Sequence, residues 1–256
     1  MKLSEEMKNK TLLSFELFPP KTEKGLQNLP GTIDHLMKYN PSYISCTYGA
    51  GGGNVGANRE VCQMIKNAGT TPVTHFTVIK NTKEGIKEQL DQYLADGVDH
   101  MLALRGDIPL GETTTCGDFD YATDLVKFVR DTYGDKFEIA VAGSPEGHIS
   151  CRSLESDIAV LKQKQDNGAD YIMTQLCWDM EQFKYWLDAI RKAGITMPVD
   201  VGVMPILDQA ATINMALSRN GCVMDRELSR MISRHWLFPN CLLYTSDAAD
   251  EARSVD

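Results

Sequence analysis

The sequence lacks the features of several common classes of protein. It has no run of about 18 apolar residues, which a membrane-spanning helix needs, and its polar N-terminal segment contains no apolar signal core. It also lacks an excess of basic residues: the formal net charge is -9, whereas binding to nucleic-acid phosphates needs a basic face. We therefore expect neither a membrane nor a nucleic-acid partner.

Paired cysteines and metal-binding spacings are missing as well. The seven cysteines are odd in number, and no two have the two-residue separation of a zinc or redox motif. Several lie in apolar runs, where a reduced thiol acts as a small hydrophobic group. The five histidines are dispersed, and no Gly-x-Ser-x-Gly nucleophile motif occurs. These absences predict a cytoplasmic protein without a metal site or a serine nucleophile.

Short apolar runs alternate with longer segments of helical periodicity along most of the chain. The runs begin about thirty residues apart, the length of one βαβ unit, so we expect a parallel sheet covered by helices. The predicted strands are 12–18, 42–48, 73–79, 99–104, 138–142, 171–176 and 199–204. The predicted helices include 83–95, 121–133, 153–167, 180–193 and 225–235, and glycines expected to end helices are Gly69, Gly97, Gly134, Gly168 and Gly194.

This alternation is shared by doubly wound open sheets and by closed barrels. Polar residues follow nearly every strand, which favours a (β/α)8 TIM barrel, because a barrel gathers the strand ends into one mouth. The polar segment 241–256 supplies no eighth strand and resembles translated adapter DNA. We predict a barrel domain over 1–240 that lacks its last strand, then a tail at 241–256 that is either non-native or naturally disordered.

The first predicted strand carries one acidic residue among apolar ones. Alternate side chains of a barrel strand face the interior and the outer helices. Leu13, Phe15 and Leu17 form the apolar, helix-facing set, which places Glu16 on the interior side near the end of the strand. Desolvation there would raise its pKa toward the range of a general acid. Glu16 is thus either a general acid or a structural carboxylate paired with a buried cation.

The same alternation selects polar residues at the ends of the other strands. Convergence of such groups on one rim predicts a ligand site, although His75 taken alone is more typical of a satisfied core histidine. The selected residues are Ser45, Thr47, His75, Thr77, Arg105, Asp107 and Gln175, and Ser14 of the first strand faces inward with Glu16.

A second group suits a ligand that contains phosphate. Gly106 lets the backbone approach a ligand closely, and Asp157 and Lys164, seven residues apart, share one face of a helix. The alternatives are a loop ion pair between Arg105 and Asp107 and a solvated Lys164. The candidates for contact with a diphosphate are Arg105, His148 and Lys164.

The segment 51–56 matches the Gly-x-Gly-x-x-Gly pattern of dinucleotide-binding folds. Such folds also need an acidic residue about 20 positions on, at the end of the next strand. Here that strand ends in Lys80 and Asn81, with no acid. We therefore interpret 51–56 as a mobile glycine-rich loop over the barrel mouth rather than as a Rossmann motif.

Five motifs occur in the order and spacing of the methylenetetrahydrofolate reductase family, which the chain resembles over roughly residues 10–240. The motifs are Phe15–Pro20, Ser45–Ala50, Ala103–Pro109, Pro145–His148 and Thr174–Gln175. The resemblance implies a (β/α)8 barrel that binds FAD at the carboxyl ends of its strands. It also implies that NADH (or NADPH) reduces the flavin, which then reduces the methylene bridge of a folate to a methyl group.

The resemblance assigns roles by matching position. Glu16 is implied to be the general acid for opening of the folate's five-membered ring, and Asp107 to tune charge beside flavin and pterin. Gln175 and Thr47 are implied to contact the folate or nicotinamide. The implied FAD contacts are Thr47, His75, Arg105, Gly106, Asp107, Tyr121, Ala122, His148, Asp157 and Lys164.

Three positions depart from the family. Ser144 stands where tyrosine is common beside the flavin, and Gln209 stands where some members have an aromatic residue. The family's C-terminal strand, with its arginine and aromatics, has no counterpart in 241–256. Two alternatives therefore stay open: a flavin-free, pterin-binding methyltransferase barrel, and an inactive truncated fragment. A full-length parent is expected to be a homo-oligomer.

Overall fold

A computed structural model describes residues 2–20, 22–48, 55–108, 111–204, 206, 209–217, 224 and 226–237. The chain forms two compact units. The first comprises residues 1–143, 159–173 and 193–200, and the second comprises 144–158, 174–192 and 201–256.

Seven strands form one sheet in which spatial order follows sequence order. The pairs β1–β2, β2–β3, β3–β4, β4–β5 and β6–β7 are parallel. A doubly wound sheet reverses its strand order at a switch point, so this topology excludes that alternative. The strands are β1 (Ser14–Leu17), β2 (Tyr43–Cys46), β3 (Thr71–Thr77), β4 (His100–Leu104), β5 (Glu138–Gly143), β6 (Tyr171–Thr174) and β7 (Val199–Asp200).

Each connection between consecutive strands contains a helix, as the sequence predicts. The fold is that of a (β/α) barrel lacking its last strand, because the described residues contain seven strands and no eighth. The helices are α1 (Leu3–Glu6), α2 (Glu23–Met37), α3 (Val55–Asn67), α4 (Lys83–Ala95), α5 (Ala122–Tyr133), α6 (Leu154–Asp166), α7 (Met180–Lys192), α8 (Gln209–Leu217) and α9 (Arg226–Leu237), with a short 3-10 turn at Gly134–Lys136.

Local signals explain where the helices begin and end. The hydroxyl oxygens of Thr22 and Thr82 accept hydrogen bonds, each 3.1 Å, from backbone N–H groups in the first turns of α2 and α4. The five glycines predicted to end helices all have positive φ, between 58° and 105°. The predicted strands 12–18 and 199–204 are too long, since the observed β1 and β7 end where parallel pairing ends.

The last strand of the sheet also contacts the first two through a carboxylate. The hydroxyl of Ser14 donates to Oδ2 of Asp200 over 3.3 Å, and the phenol of Tyr43 donates to the same oxygen. Burial and the neighbouring Asp200 carboxylate raise the pKa of Tyr43 far above its usual value. β7 is thus tied by side chains to β1 and β2 within the first unit.

The inner face of the sheet carries the core cluster of the first unit. Its buried members are Leu3, Tyr43, Val73, Leu102, Ala140 and Tyr171. Five of them come from consecutive strands β2 to β6, and the sixth comes from α1. Sequence reasoning missed α1, because the first ten residues read as polar, yet Leu3 is only 2% exposed.

A buried carboxylate on β5 holds α1 in place. Glu138 accepts hydrogen bonds from the backbone N–H groups of Leu3, at 2.7 Å, and Ser4, at 2.8 Å. Its Oε2 also lies 2.9 Å from Nε2 of His100, whose other ring nitrogen lies 2.6 Å from Asp99. This network gives a buried charge the paired partners that it needs.

The second unit is held by its own contacts. The side chain of Gln182 donates to the carbonyl oxygen of Pro145 at 2.8 Å, and the N–H of Gly202 donates to the Thr174 hydroxyl at 2.9 Å. The buried rings of Phe183 and Trp186 pack with centroids 5.9 Å apart.

The predicted tail 241–256 lies outside the described residues, so the predicted division at residue 240 stays a prediction. None of the described helices combines the length and apolar character that crossing a bilayer requires.

Candidate functional site

Two titratable side chains meet on the inner face of the first unit. The register aligns Glu16 of β1 with Ser45 of β2 and Val73 of β3, and His75 is two residues further along β3. Oε2 of Glu16 lies 3.5 Å from Nε2 of His75. The sequence therefore assigned both residues to the correct face.

Burial sets the protonation of this pair. Desolvation lowers the pKa of His75 to about 4, so its imidazole is neutral at neutral pH. Desolvation raises the pKa of Glu16, although 46% of its side chain stays exposed. The pair is therefore not an ion pair at neutral pH. Among the salt bridges of the described residues Glu16 contacts only His75, so the structure shows no charged partner for it, and its role as a general acid stays a prediction.

Two buried polar atoms on β3 lack hydrogen-bond partners among the described residues. They are Nε2 of His75 and Oγ1 of Thr77, and both residues are less than 10% exposed. These two neighbouring atoms at the strand end are among several unpaired buried atoms of the described residues, and a polar ligand bound there would supply their partners. His75 is thus not the satisfied core histidine that it resembled in isolation.

Gly106 follows β4 and lies close to side chains of the protein itself, so the close approach to a ligand that the sequence suggested stays a prediction. Its φ is 85°, and a Cβ atom there would lie 3.0 Å from Ile79 and 3.2 Å from Thr77. Only glycine suits this conformation and this space. The predicted loop ion pair between Arg105 and Asp107 is absent from the salt bridges of the described residues. Arg105 instead points Nε at the carbonyl oxygen of Gly106, at 3.3 Å.

The remaining candidates of the first unit are placed as follows. The Thr47 N–H donates to the carbonyl oxygen of Leu17 at 2.9 Å, and its side chain is half-buried. Tyr121 is exposed and precedes α5, and Ala122 is the first residue of that helix. The ammonium group of Lys164 donates to the carbonyl oxygen of Ala142 near the end of β5, at 3.0 Å. It is therefore not a freely solvated lysine.

Three candidates belong to the second unit. The carboxylate of Asp157 accepts the His148 backbone N–H at 3.2 Å and also lies 3.6 Å from the Cys151 thiol, so it shapes the loop before α6. Gln175 follows β6 and is half-buried. Ser144, one of the departures from the family, directly follows β5. Two other features that the sequence singled out, the Gln209 side chain and most of the glycine-rich segment 51–56, lie outside the described residues.

One buried polar residue of the first unit was missed at the sequence level. Asn58 is fully buried on α3 and shares a helix face with Val61, Cys62 and Ile65, all of which are also fully buried. An asparagine on an otherwise apolar face was the available signal. Among the described residues, no group of His, Cys, Asp and Glu is arranged to hold a metal ion.

A parallel (β/α) sheet in strand order, with an acid and an imidazole in contact on its inner face, defines the class of protein as a (β/α) barrel. Sequence comparison identifies the particular family. The profile of the family described as methylenetetrahydrofolate reductase matches residues 2–228, and the chain belongs to this family.

Two relatives illustrate the similarity. Methylenetetrahydrofolate reductase (NADH) 1 of Arabidopsis thaliana is 38% identical over 219 residues, covering 80% of this chain and 37% of that protein. The 5,10-methylenetetrahydrofolate reductase of Escherichia coli K12 is 34% identical over 202 residues, covering 78% of this chain and 67% of that protein. The chain thus spans little more than a third of the plant relative.

Solved structures show a likeness of fold alone. A 2,3-dimethylmalate lyase aligns with a TM-score of 0.53 and 11% identity over 98% of this chain and 94% of its own. Phosphoenolpyruvate phosphomutase from Streptomyces platensis subsp. rosaceus gives a TM-score of 0.53 and 11% identity, with 99% and 90% covered. At such identity these matches carry no information on substrate.

Proposed function

We propose that this chain catalyses the flavin-dependent reduction of 5,10-methylenetetrahydrofolate to 5-methyltetrahydrofolate, with NADH (or NADPH) as the electron donor. Family membership supports the reaction, and the name of the Arabidopsis relative, which specifies NADH, supports that donor. The observation that carries the proposal is the contact of Glu16 with neutral His75 beside unsatisfied polar atoms of β3.

The residues of the first unit fit a flavin. Nε2 of His75 and Oγ1 of Thr77 offer unused hydrogen-bonding capacity in a buried position, and the backbone of Gly106 packs directly against Thr77 and Ile79. When bound, FAD would carry the hydride from the nicotinamide to the folate. The residues of the first unit proposed to hold it are Thr47, His75, Arg105, Gly106, Asp107, Tyr121, Ala122 and Lys164, and family membership alone adds His148 and Asp157 of the second unit.

Glu16 is the proposed general acid. Burial raises its pKa and so favours the protonated carboxyl group, whose proton would pass to the folate nitrogen released when the five-membered ring opens. The neutrality of His75 supports this role, because an imidazolium 3.5 Å away would favour the ionised form of Glu16 and lower its pKa.

The other proposed contacts orient the substrates. Asp107 is exposed and has no salt bridge among the described residues, so its charge is available to act on a bound pterin and flavin. Gln175 and Thr47 are proposed to bind the folate, with a half-buried amide and a half-buried hydroxyl. Ser144 and Gln209 are proposed to weaken stacking on flavin and folate relative to family members with aromatic residues there.

The proposed setting is the cytoplasm, with the full-length protein a homo-oligomer. The five cysteines in the described part of the chain are all free, which agrees with a reducing compartment.

The purified chain tests the proposal directly. We expect flavin absorbance in the visible range, oxidation of NADH with a quinone acceptor, and oxidation of NADH coupled to methylenetetrahydrofolate. A colourless chain that binds a pterin and transfers methyl groups without flavin would overturn the proposal in favour of a methyltransferase. A colourless chain that neither takes up added FAD nor binds folate would instead support the inactive fragment.

A further inference from the structure

Asn58 uses its whole side-chain amide inside the first unit. Nδ2 donates to the carbonyl oxygens of Cys46, at 3.0 Å, and Thr47, at 3.1 Å. Oδ1 accepts from the hydroxyl groups of Thr74, at 2.8 Å, and Tyr93, at 2.6 Å. An amide has two donor hydrogens and two acceptor lone pairs, so the two carbonyls and two hydroxyls satisfy Asn58, and the Cys62 thiol is a further, weak donor 3.6 Å from Oδ1.

These contacts lie where β2 leaves the sheet. Cys46 and Thr74 form the last register pair between β2 and β3. The Asn58 amide binds the two carbonyls at and just beyond this point, where the regular ladder ends. The Thr47 N–H donates to the Leu17 carbonyl oxygen at 2.9 Å, so both backbone polar groups of Thr47 are held, one by β1 and one by α3.

Asn58 and the proposed site lie on opposite faces of the same part of the sheet. Thr74 faces Asn58 on the helix side, and its neighbour His75 therefore faces the interior, where it contacts Glu16. Asn58 thus contacts the backbone of one proposed ligand-binding residue and the sequence neighbour of another. It cannot touch a ligand itself, since it is fully buried behind the sheet.

We propose that Asn58 is a positioning residue, which fixes Thr47 for ligand contact by binding the carbonyls at the end of β2. Thr47 as a ligand contact rests on the proposed function. Fully satisfied buried polar networks specify one local arrangement, whereas an apolar side chain at residue 58 would leave two carbonyls and two hydroxyls to find other partners.

Amide hydrogen exchange on the ligand-free chain tests the positioning. Asn58→Asp replaces the donor by an oxygen that faces two carbonyl oxygens. Tyr93→Phe is the matched control, because it removes one bond to Oδ1 and leaves the donor intact. We expect exchange of the Thr47 amide to accelerate about tenfold or more in Asn58→Asp and to stay within about twofold in Tyr93→Phe.

Unchanged exchange in Asn58→Asp, or equal acceleration in both variants, would overturn the positioning role. If Asn58→Asp does not fold, Asn58→Ser takes its place under the same criteria, because its hydroxyl is too short to reach the carbonyls.

Binding of 5-methyltetrahydrofolate, measured by calorimetry, tests the link to function. We expect about tenfold weaker binding in the Asn58 variant and a change within about twofold in Tyr93→Phe. If the unmodified chain binds the folate and the Asn58 variant binds it equally well, the inference is wrong. If the unmodified chain binds no folate, the proposed function is wrong, and the exchange experiment still decides whether Asn58 positions Thr47.

Discussion

Nε2 of His75 on β3 lies 3.5 Å from Oε2 of Glu16 on β1, and the two groups are not an ion pair at neutral pH. Burial lowers the pKa of His75 to about 4, while it raises the pKa of Glu16. Because the imidazole is neutral, it does not favour loss of the proton from the Glu16 carboxyl group. In the proposed function, Glu16 supplies a proton to the folate and is not among the residues that hold the flavin.

Glu16→Gln tests that separation. The amide keeps the size of the side chain but has no acidic proton, so we expect folate turnover to fall about 100-fold or more. Reduction of the flavin by NADH needs no proton from this residue and should stay within about threefold of the unmodified rate. Stopped-flow measurement of the two half-reactions separates the effects.

Glu84→Gln is the control for the loss of one negative charge, since Glu84 is exposed on α4. A parallel loss in both half-reactions of Glu16→Gln would show that Glu16 supports flavin binding rather than proton transfer.

His75→Gln should change the response of stability to acid. The pKa of His75 is about 4 in the folded chain against 6.5 for the free side chain. Between these values the unfolded chain binds the extra proton, so the free energy of unfolding falls as the pH drops from 6.5 to 4. The histidine accounts for up to about 3 kcal/mol of that fall.

Urea unfolding of the ligand-free protein at several pH values measures this slope. We expect His75→Gln to flatten the curve between pH 6.5 and 4 and to leave the steeper loss below pH 4 in place. An identical slope in both proteins would show that His75 is not held neutral by burial.

The sequence predicted the barrel topology because the evidence for it is local and repeated. Each βαβ unit carries its own apolar run, amphipathic helix and closing glycine, such as Gly97 after α4 and Gly168 after α6. Alternation within a strand then assigned Glu16 and His75 to the interior without knowledge of their partners.

The rest of the site depends on contacts between distant segments, which local patterns do not encode. Glu138 binds the backbone of Leu3 and Ser4, which precede it by 135 and 134 positions in the sequence. Local sequence patterns therefore gave no sign that the polar N-terminal segment forms a helix packed on the sheet. The side chain of Asn58 likewise forms hydrogen bonds with residues of β2, β3 and α4, which are distant from one another in the sequence. Tertiary contacts override weak local propensity at such places.

The buried network at the other end of β4 predicts an alkaline response. Burial disfavours the charged form of His100, but its contacts with Asp99 and Glu138 outweigh this and raise its pKa to about 9. The stabilisation is complete below pH 6.5, the free value, and is lost as the pH rises toward 9. Its size is up to about 3 kcal/mol.

His100→Gln should abolish that alkaline loss. Unfolding free energies at pH 6, 7.5 and 9 should decline with pH in the unmodified chain and stay level in the variant, which is less stable at the lowest of these pH values. A decline of equal size in both proteins would assign the alkaline response to other groups and leave His100 without a stabilising charge.

The N-terminal helix gives a comparison of two identical substitutions in different surroundings. Leu3 on α1 is 2% exposed within the inner core cluster, whereas Leu13, just before β1, is 45% exposed. Truncation of a buried leucine removes its transfer free energy and leaves a cavity, so Leu3→Ala should lower the free energy of unfolding by about 2–4 kcal/mol. Leu13→Ala should cost less than about 1 kcal/mol.

Because Leu3 and Ser4 also supply N–H groups to Glu138, loosening of α1 would uncover that carboxylate and weaken its hold on His100. Leu3→Ala should therefore also reduce the alkaline decline of stability, and Leu13→Ala should not. Equal costs for the two substitutions, with unchanged pH profiles, would mean that α1 contributes nothing to the core in solution.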